Sequence, residues 1–200
     1  MRLFVPGLIM CTLALPAVSS AQVAEFWFGG GESLISNGAI GSTSASGAAN
    51  DVSLTDGFRV NFRLTLNTGD HYGNEVGYAY NRTQLQMNNT QPATQQGMAA
   101  HQGFYDFLLY PTKEGSRIRP FVAGGVQFTN FVPPGSSATQ GGGNTKFGIN
   151  YGFGLKARVS SKFGVRADFR QYNMGKPFSL PLASGRFLQN EISASFGFLM

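Results

Sequence analysis

Apolar and polar residues alternate strictly over long stretches of this chain. From residue 147 to residue 159, every second residue is aromatic or aliphatic, and the residues between them are Gly, Asn, Lys or Arg. After Ser160 and Ser161 the alternation resumes over residues 163–169. A period of two is that of a β-strand, because a helix would need apolar residues three and four positions apart. The pattern therefore predicts a β-hairpin with one apolar and one polar face.

The same pattern predicts eight strands in all. The first, residues 23–35, contains Gly29-Gly30-Gly31, where we expect a bulge, so the facing of this strand stays open. The facing of the fourth stays open, because it is apolar on both faces except at Asp106. The eight predicted strands cover residues 23–35, 58–66, 72–86, 102–110, 118–129, 146–159, 163–172 and 188–200.

The connections between these strands alternate in length. Long polar stretches cover residues 36–56, 87–101, 132–145 and 174–185, and short ones cover residues 67–71, 111–117 and 160–162. Tight turns at one end and extended loops at the other are typical of outer-membrane barrels. An even strand number also places both termini on the periplasmic side.

Composition favours a membrane barrel over a soluble domain. Charged residues make up 12% of the chain, aromatic residues 13%, and there are 27 glycines. A soluble domain has about 25% charged residues. No run approaches the roughly 20 apolar residues that a membrane-spanning helix needs.

The first 21 residues are expected to be a secretory signal. Arg2 supplies a positive charge, residues 3–15 are apolar, and Ser19-Ser20-Ala21 forms a small-residue cleavage site. The barrel domain is then predicted to cover residues 22–200. A lipoprotein signal ending at Cys11 is the alternative. Cleavage after Ala21 removes the one cysteine, which excludes disulfides and thiolate metal sites.

Three stretches resemble a known family. They are residues 120–126 (PFVAGGV), residues 166–170 (RADFR) and the alternating aromatic strand at the C-terminus. Together with the alternating loop lengths, they make the chain similar to the small eight-stranded outer-membrane barrels of the OmpA/OmpX type. The resemblance implies an all-β, eight-stranded, antiparallel up-and-down transmembrane barrel with short periplasmic turns and long extracellular loops, in the bacterial outer membrane.

The resemblance also implies partners. In this family the last strand is the signal for the outer-membrane assembly machinery, and here that signal is carried by Ile192, Phe196, Phe198 and Met200. Met200 takes the place of the usual terminal aromatic residue. Outer-membrane lipids and periplasmic chaperones are the other implied partners.

In such a barrel the apolar row faces lipid, because closure pairs every backbone group and only side chains meet the acyl chains. The polar row then faces a lumen that is just wide enough for side chains to fill. A three-residue turn at Ser160-Ser161-Lys162 would place Lys156 opposite Arg166. We expect Asp168 to reach Lys156 diagonally, and Glu191 to pair with Arg166 or Arg170. The predicted lumen ion-pair network is Arg59, Arg63, Glu75, Lys156, Arg158, Arg166, Asp168, Arg170 and Glu191.

The predicted function is that of a narrow, plugged barrel with a structural, envelope-integrity or surface-interaction role. A small pore, a lipid-modifying enzyme and a soluble lipocalin-like barrel are the alternatives. Enzymatic activity is not expected, because the two histidines, His71 and His101, fall at opposite rims without a Ser or acidic partner at a suitable spacing.

No cofactor, metal or nucleic-acid partner is expected. The chain is basic, with a formal charge of +5 and a pI near 9.6, but it has no basic block. Gly29-Gly30-Gly31 and Gly141-Gly142-Gly143 lack the Lys and Ser/Thr of a phosphate-binding loop. The outer loops are polar and almost uncharged, which suits surface contacts without indicating a partner.

Overall fold

The computed structural model describes residues 23–140 and 143–200. The predicted signal at residues 1–21 lies outside the described residues. None of the helices in the described part is long and apolar enough to cross a membrane; two single-turn 3₁₀ helices occur, at Ala138–Gln140 and Pro177–Ser179. The strands are β1 (Val23–Ile35), β2 (Ala39–Gly41), β3 (Val52–Leu54), β4 (Gly57–Thr68), β5 (Tyr72–Met87), β6 (Thr94–Leu109), β7 (Ile118–Val132), β8 (Asn144–Arg158), β9 (Phe163–Gly175) and β10 (Arg186–Leu199).

Eight of these strands close into a barrel. Strand β1 pairs antiparallel with both β4 and β10, and each of the strands from β4 to β10 pairs with the next one along the chain. The predicted closed, eight-stranded antiparallel barrel is therefore confirmed. We call the end where β1 begins and β10 ends the terminal end, and the opposite end the loop end.

The prediction of a long third connection, residues 87–101, is wrong. Strand β6 begins at Thr94, so only residues 88–93 join it to β5, whereas residues 110–117 form a longer connection at the terminal end. The ladder between β5 and β6 continues without interruption as far as Met87 and Thr94. Both strands have 16 residues, more than the roughly 9–11 that cross a membrane. The added part of β6, residues 94–101, lacks the alternation of apolar and polar residues because neither of its faces would contact lipid.

The first connection contains two short strands that the sequence pattern did not predict. Strand β3 pairs with the loop-end part of β5, at Val52 with Met87 and at Leu54 with Leu85. Strand β2 then pairs with β3. This small sheet extends the barrel wall at the loop end.

The predicted bulge at the glycine triplet is also wrong. Register is continuous through β1, with Gly29 opposite Ser195 and Gly31 opposite Ser193. A Cβ on Gly29 would overlap the Ser195 side chain, and a Cβ on Gly31 would overlap the Ile192 carbonyl. These glycines therefore allow β1 and β10 to pack closely rather than distorting the strand.

The outer wall of the barrel is apolar and exposed. Phe147 and Val126, for example, are 76% and 59% exposed. Strand β6, whose facing was open, points Phe104 and Asp106 inward and Tyr105 outward. An apolar row that faces outward is the arrangement that a lipid environment requires, and it is opposite to that of a soluble lipocalin-like barrel.

The loop end is closed by an apolar cluster, which we call the loop-end cap. Its buried members are Ile40, Val52, Leu54, Met98, Ala100, Phe131, Tyr172, Met174 and Phe187. Phe178 packs against it, with its ring 6.4 Å from the ring of Phe131. The backbone of Phe178 is left-handed, with φ of 64°, which costs about 1–3 kcal/mol for a residue other than glycine. Packing of the ring against the cap offsets this cost.

Three large aromatic side chains inside the barrel lie over glycines directly opposite on the neighbouring strand. Trp27 faces Gly197, Phe104 faces Gly77, and Phe121 faces Gly154. A Cβ on any of these glycines would overlap the opposing ring. The glycines of the polar row thus provide the space in which the rings fill the lumen.

This arrangement predicts that Gly77→Ala destabilises the folded barrel by about 1–3 kcal/mol, because the added methyl displaces the Phe104 ring. Thermal unfolding in detergent, followed by the heat-dependent shift of the folded band on SDS gels, measures the effect. The control is Gly124→Ala, since the nearest atom to a Cβ there is 3.9 Å away. Equal melting of the two variants would contradict the packing argument.

Candidate functional site

The lumen between the two ends holds a network of buried ion pairs centred on Glu75 of β5. Arg166 binds Glu75 with two nitrogens, one of them (Nη2) 3.0 Å from Oε1. Arg63 and Arg170 donate to the same oxygen at 3.2 and 3.1 Å. Thr65 donates its hydroxyl to the other carboxylate oxygen at 2.7 Å. Three guanidinium groups therefore converge on one carboxylate.

Glu191 of β10 is the second centre. Arg63 Nη2 lies 2.6 Å from Glu191 Oε1, and Arg59 Nε lies 3.1 Å from Oε2. Tyr172 donates its hydroxyl to Oε2 at 2.7 Å and accepts a hydrogen bond of 2.9 Å from Arg59. Ser193 donates to Oε1. The carboxylate is thus surrounded by donors from β4, β9 and its own strand.

Two aspartates complete the centre of the network. Arg166 contacts both oxygens of Asp168, at 2.7 and 2.8 Å. Arg170 contacts Asp168 at 3.3 Å and Asp106 at 2.6 Å. Arg170 therefore connects β9 to Asp106 on β6.

A separate layer lies nearer the terminal end. Lys156 binds Glu25 and donates to the Tyr110 hydroxyl at 2.8 Å. Glu25 also accepts hydrogen bonds from Trp27 at 3.1 Å and from Asn67 at 2.9 Å. Because Lys156 lies on β8 and Glu25 on β1, this ion pair crosses the lumen.

Aromatic rings pack against the cations of the network. The guanidinium carbon of Arg63 lies 4.8 Å from the Phe104 ring centre, and that of Arg166 lies 4.6 Å from the Phe121 ring centre. These distances fall within the range of cation–π attraction. The rings fill volume and also stabilise the charges they contact.

Charge is balanced within this buried region. All of its ionic residues are at most 4% exposed. Burying ions costs several kcal/mol each unless each one is paired and hydrogen-bonded, and an unequal count would leave one charge without a partner. A sixth buried base, Arg119, pairs with Glu114 at the terminal-end mouth. The remaining five bases face five acids: Arg59, Arg63, Lys156, Arg166 and Arg170 against Glu25, Glu75, Asp106, Asp168 and Glu191.

The mouth of the barrel at the terminal end has its own ionic cluster. Glu114 in the turn 110–117 binds Arg119, and Arg158 lies 3.4 Å from the other oxygen of the same carboxylate. The Arg158 side chain is 32% exposed. The structure thus places Arg158 at the mouth, apart from the buried network to which the sequence assigned it.

The register predicted for β8 and β9 is present, with Lys156 opposite Arg166 and Gly154 opposite Asp168. Two of the ion pairs in the structure differ from those expected from the sequence. Lys156 binds Glu25 instead of Asp168, because Asp168 is held between Arg166 and Arg170 on its own strand. Glu191 binds Arg59 and Arg63 instead of Arg166 or Arg170, because those two point across the lumen to Glu75.

Sequence reasoning missed several lumen residues. Glu25 and Trp27 occupy the inward row of β1, and Phe26 and Phe28 the outward row. Asp106 was visible as a single acid in an otherwise apolar strand. A lone carboxylate there indicates the inward face, since lipid would not accommodate it.

The two histidines lie apart. The Nδ1 atom of His71 is 2.9 Å from the Tyr110 carbonyl at the terminal end. The Nδ1 atom of His101 is 2.6 Å from the Tyr78 hydroxyl on the outer wall. Neither contacts a serine or a carboxylate among the described residues, so their placement provides no hydrolytic triad.

The C-terminal row lies on the outer wall. Ile192, Phe196, Phe198 and Met200 all point outward, and Phe196 is 63% exposed. The Phe198 ring contacts Phe163 edge-on at 5.3 Å. This strand therefore presents an apolar, partly aromatic surface at the seam where β10 meets β1.

A closed strand barrel with an apolar outer wall and an ion-paired interior defines an integral β-barrel membrane protein. The sequence agrees with this class: residues 9–198 match the family described as the outer membrane protein beta-barrel domain. The chain belongs to this family, and it is an outer-membrane β-barrel protein. The terminal end is accordingly the periplasmic one and the loop end the outer one.

Solved structures share the fold at low sequence identity. The outer membrane protein OprG from Pseudomonas aeruginosa matches with a TM-score of 0.59 and 13% identity, over 90% of this chain and 97% of that one. Neisserial surface protein A matches with a TM-score of 0.57 and 12% identity, over 90% and 97%. The N-terminal barrel domain of Pseudomonas aeruginosa OprF matches with a TM-score of 0.52 and 13% identity, over 89% and 97%. No curated protein sequence matches this chain.

The network predicts that Asp168→Ala or Glu191→Ala lowers barrel stability by about 3–5 kcal/mol, because each change leaves buried guanidinium groups without a partner. The melting temperature in detergent measures this loss. Glu32→Ala is the matched control: Glu32 is an exposed acid on β1 with no salt bridge among the described residues. Wild-type melting of both lumen variants would refute a stabilising network.

Proposed function

We propose that this protein is a plugged outer-membrane barrel that serves a structural or surface-interaction role rather than transport. The observation that carries the proposal is the filling of the lumen along its length. The loop-end cap, the network around Glu75 and Glu191, and the Lys156–Glu25 layer follow one another from the outer to the periplasmic end. The charged side chains of the central network are fully buried.

The cavities support the same proposal. The larger grooves, of about 680, 600 and 560 Å³, are lined mainly by outward-facing side chains of the barrel wall. The cavity lined by Glu25, Glu114 and Lys156 at the periplasmic mouth has a volume of about 20 Å³. A site that holds one water needs about 10–15 Å³, so this cavity accommodates little more than one water molecule.

A filled barrel is suited to presenting a fixed structure at the cell surface. The long strands β5 and β6 and the β2–β3 sheet continue the wall beyond the length that a membrane requires. The connection of residues 88–93 at their tip is exposed and uncharged. Such a surface supports contacts with external molecules or contributes to envelope integrity.

A plugged barrel predicts no steady ion current. We expect residues 22–200, refolded into planar bilayers, to show no steady conductance, and Arg166→Ala to remain equally silent, because the aromatic rings and the cap still fill the lumen. Single-channel recording measures this, with a porin as positive control. A steady current in the wild type that changes in Arg166→Ala would favour the small-pore alternative.

We also assign the C-terminal row to recognition by the assembly machinery, with periplasmic chaperones binding the chain beforehand and outer-membrane lipids surrounding the folded wall. The exposed, apolar row of Ile192, Phe196, Phe198 and Met200 supports this assignment, since side chains buried in the lumen could not act as a signal on the strand surface.

This assignment predicts that Phe198→Ala reduces the amount of folded protein assembled in cells and that Met200→Phe increases it, because the machinery prefers an aromatic terminus. The folded fraction in isolated outer membranes measures assembly. Phe128→Ala removes a comparably exposed ring, 47% against 39% for Phe198, and serves as control. An equal loss from Phe128→Ala would argue that the effect is one of general stability.

A further inference from the structure

The outer wall of the barrel carries a row of hydrogen-bonded polar side chains across β8, β9 and β10. Tyr151 donates to Gln171, which donates to Asn190 at 2.9 Å, which in turn donates to Ser36 at 2.6 Å. Register places Tyr151 opposite Gln171 and Gln171 opposite Asn190. We call these four residues the polar ladder.

The polar ladder is unusual for its position. All of its strand members point outward, on the wall that faces the membrane. Each of its two amides has two N–H groups and uses one of them within the ladder. Hydroxyl-rich head groups would find donors and acceptors here, whereas acyl chains would not.

A cation lies above the polar ladder at the loop end. Arg186 is exposed and lies against β9, with Nε 2.6 Å from Asn173 Oδ1 and Nη2 3.2 Å from the Asn173 carbonyl. No carboxylate among the described residues lies within salt-bridge distance of it. Asn173 thus holds the guanidinium group in place while its Nη1 remains available to an anion.

An apolar groove of about 680 Å³ lies below the polar ladder. Its floor is formed by small residues on neighbouring strands: Gly30 lies opposite Ala194, and Ala194 lies opposite Ala167. Phe28 and Phe196 also line it. Ala194 is four residues beyond Asn190, about 13 Å along the strand. The groove thus lies on the periplasmic side of the polar ladder, so an acyl chain in the groove would extend from the ladder toward the membrane centre.

From these observations we infer that this wall binds a phosphorylated glycolipid of the outer leaflet. The sugar head group lies on the polar ladder, a phosphate lies on Arg186, and one acyl chain occupies the groove over Gly30 and Ala194. Glu32 is exposed and lies opposite Ile192, which is two residues beyond Asn190 toward the periplasmic end. Its negative charge would repel a phosphate placed deeper in the membrane. A phospholipid would leave the ladder's sugar contacts unmade. The inference goes beyond the proposed function and holds whether or not the lumen conducts.

Native mass spectrometry of the folded barrel, titrated with lipid A, with its dephosphorylated form or with phosphatidylglycerol, tests this. We expect one lipid A molecule to bind the wild type. Arg186→Gln should weaken that binding about tenfold, because it removes one hydrogen bond to a charged group. Ala194→Phe, which fills the groove, should weaken lipid A and its dephosphorylated form alike. Dephosphorylation should weaken binding to the wild type but not to Arg186→Gln.

Arg82→Gln is the matched control, because Arg82 is also an exposed, outward-facing arginine at the loop end, on β5. It should bind lipid A as the wild type does. Heat-dependent gel mobility verifies that every variant is folded. Equal binding of phosphatidylglycerol and lipid A, an unchanged affinity in Arg186→Gln, or an equal loss in Arg82→Gln would overturn the inference.

Discussion

The constraint on which the rest of the structure depends is the closure of eight strands into one hydrogen-bonded ring. Closure pairs the backbone of every strand on both sides, which allows the wall to contact hydrocarbon. With eight strands it also leaves an interior only as wide as the side chains that occupy it. Each inward position must therefore be small, aromatic and packed, or ionic and paired.

The inward rows meet this constraint in combination. Gly77, Gly154 and Gly197 provide the space for Phe104, Phe121 and Trp27. Those rings in turn contact Arg63, Arg166 and Lys156, whose charges are matched by carboxylates on other strands. A change at a glycine, a ring or a carboxylate thus affects the same packed interior. The same filling supports the view that the barrel is a scaffold and not a conduit.

The two surfaces of the wall differ because their surroundings differ. Inside, the charged groups are paired with one another across the lumen. Outside, the wall is mostly apolar, and its few polar side chains are hydrogen-bonded along the wall, as in the polar ladder and at Arg186. The loop end continues beyond this level as β5, β6 and the β2–β3 sheet, so the molecule presents a protein surface above the lipid.

The sequence alone determined the eight barrel strands, their closure into a barrel and the facing of six of them, because the alternation of apolar and polar residues is a local property. It also placed Lys156 opposite Arg166, since a short turn sets the register of adjacent strands. Only the tertiary structure decided which charges meet. The pairs Arg166–Glu75 and Lys156–Glu25 join strands that are not neighbours, and the curvature and stagger of the closed sheet bring them together. The loop-end cap and the extension of β6 to Thr94 were likewise hidden, because their stability comes from contacts between distant segments and not from any repeating pattern along the chain.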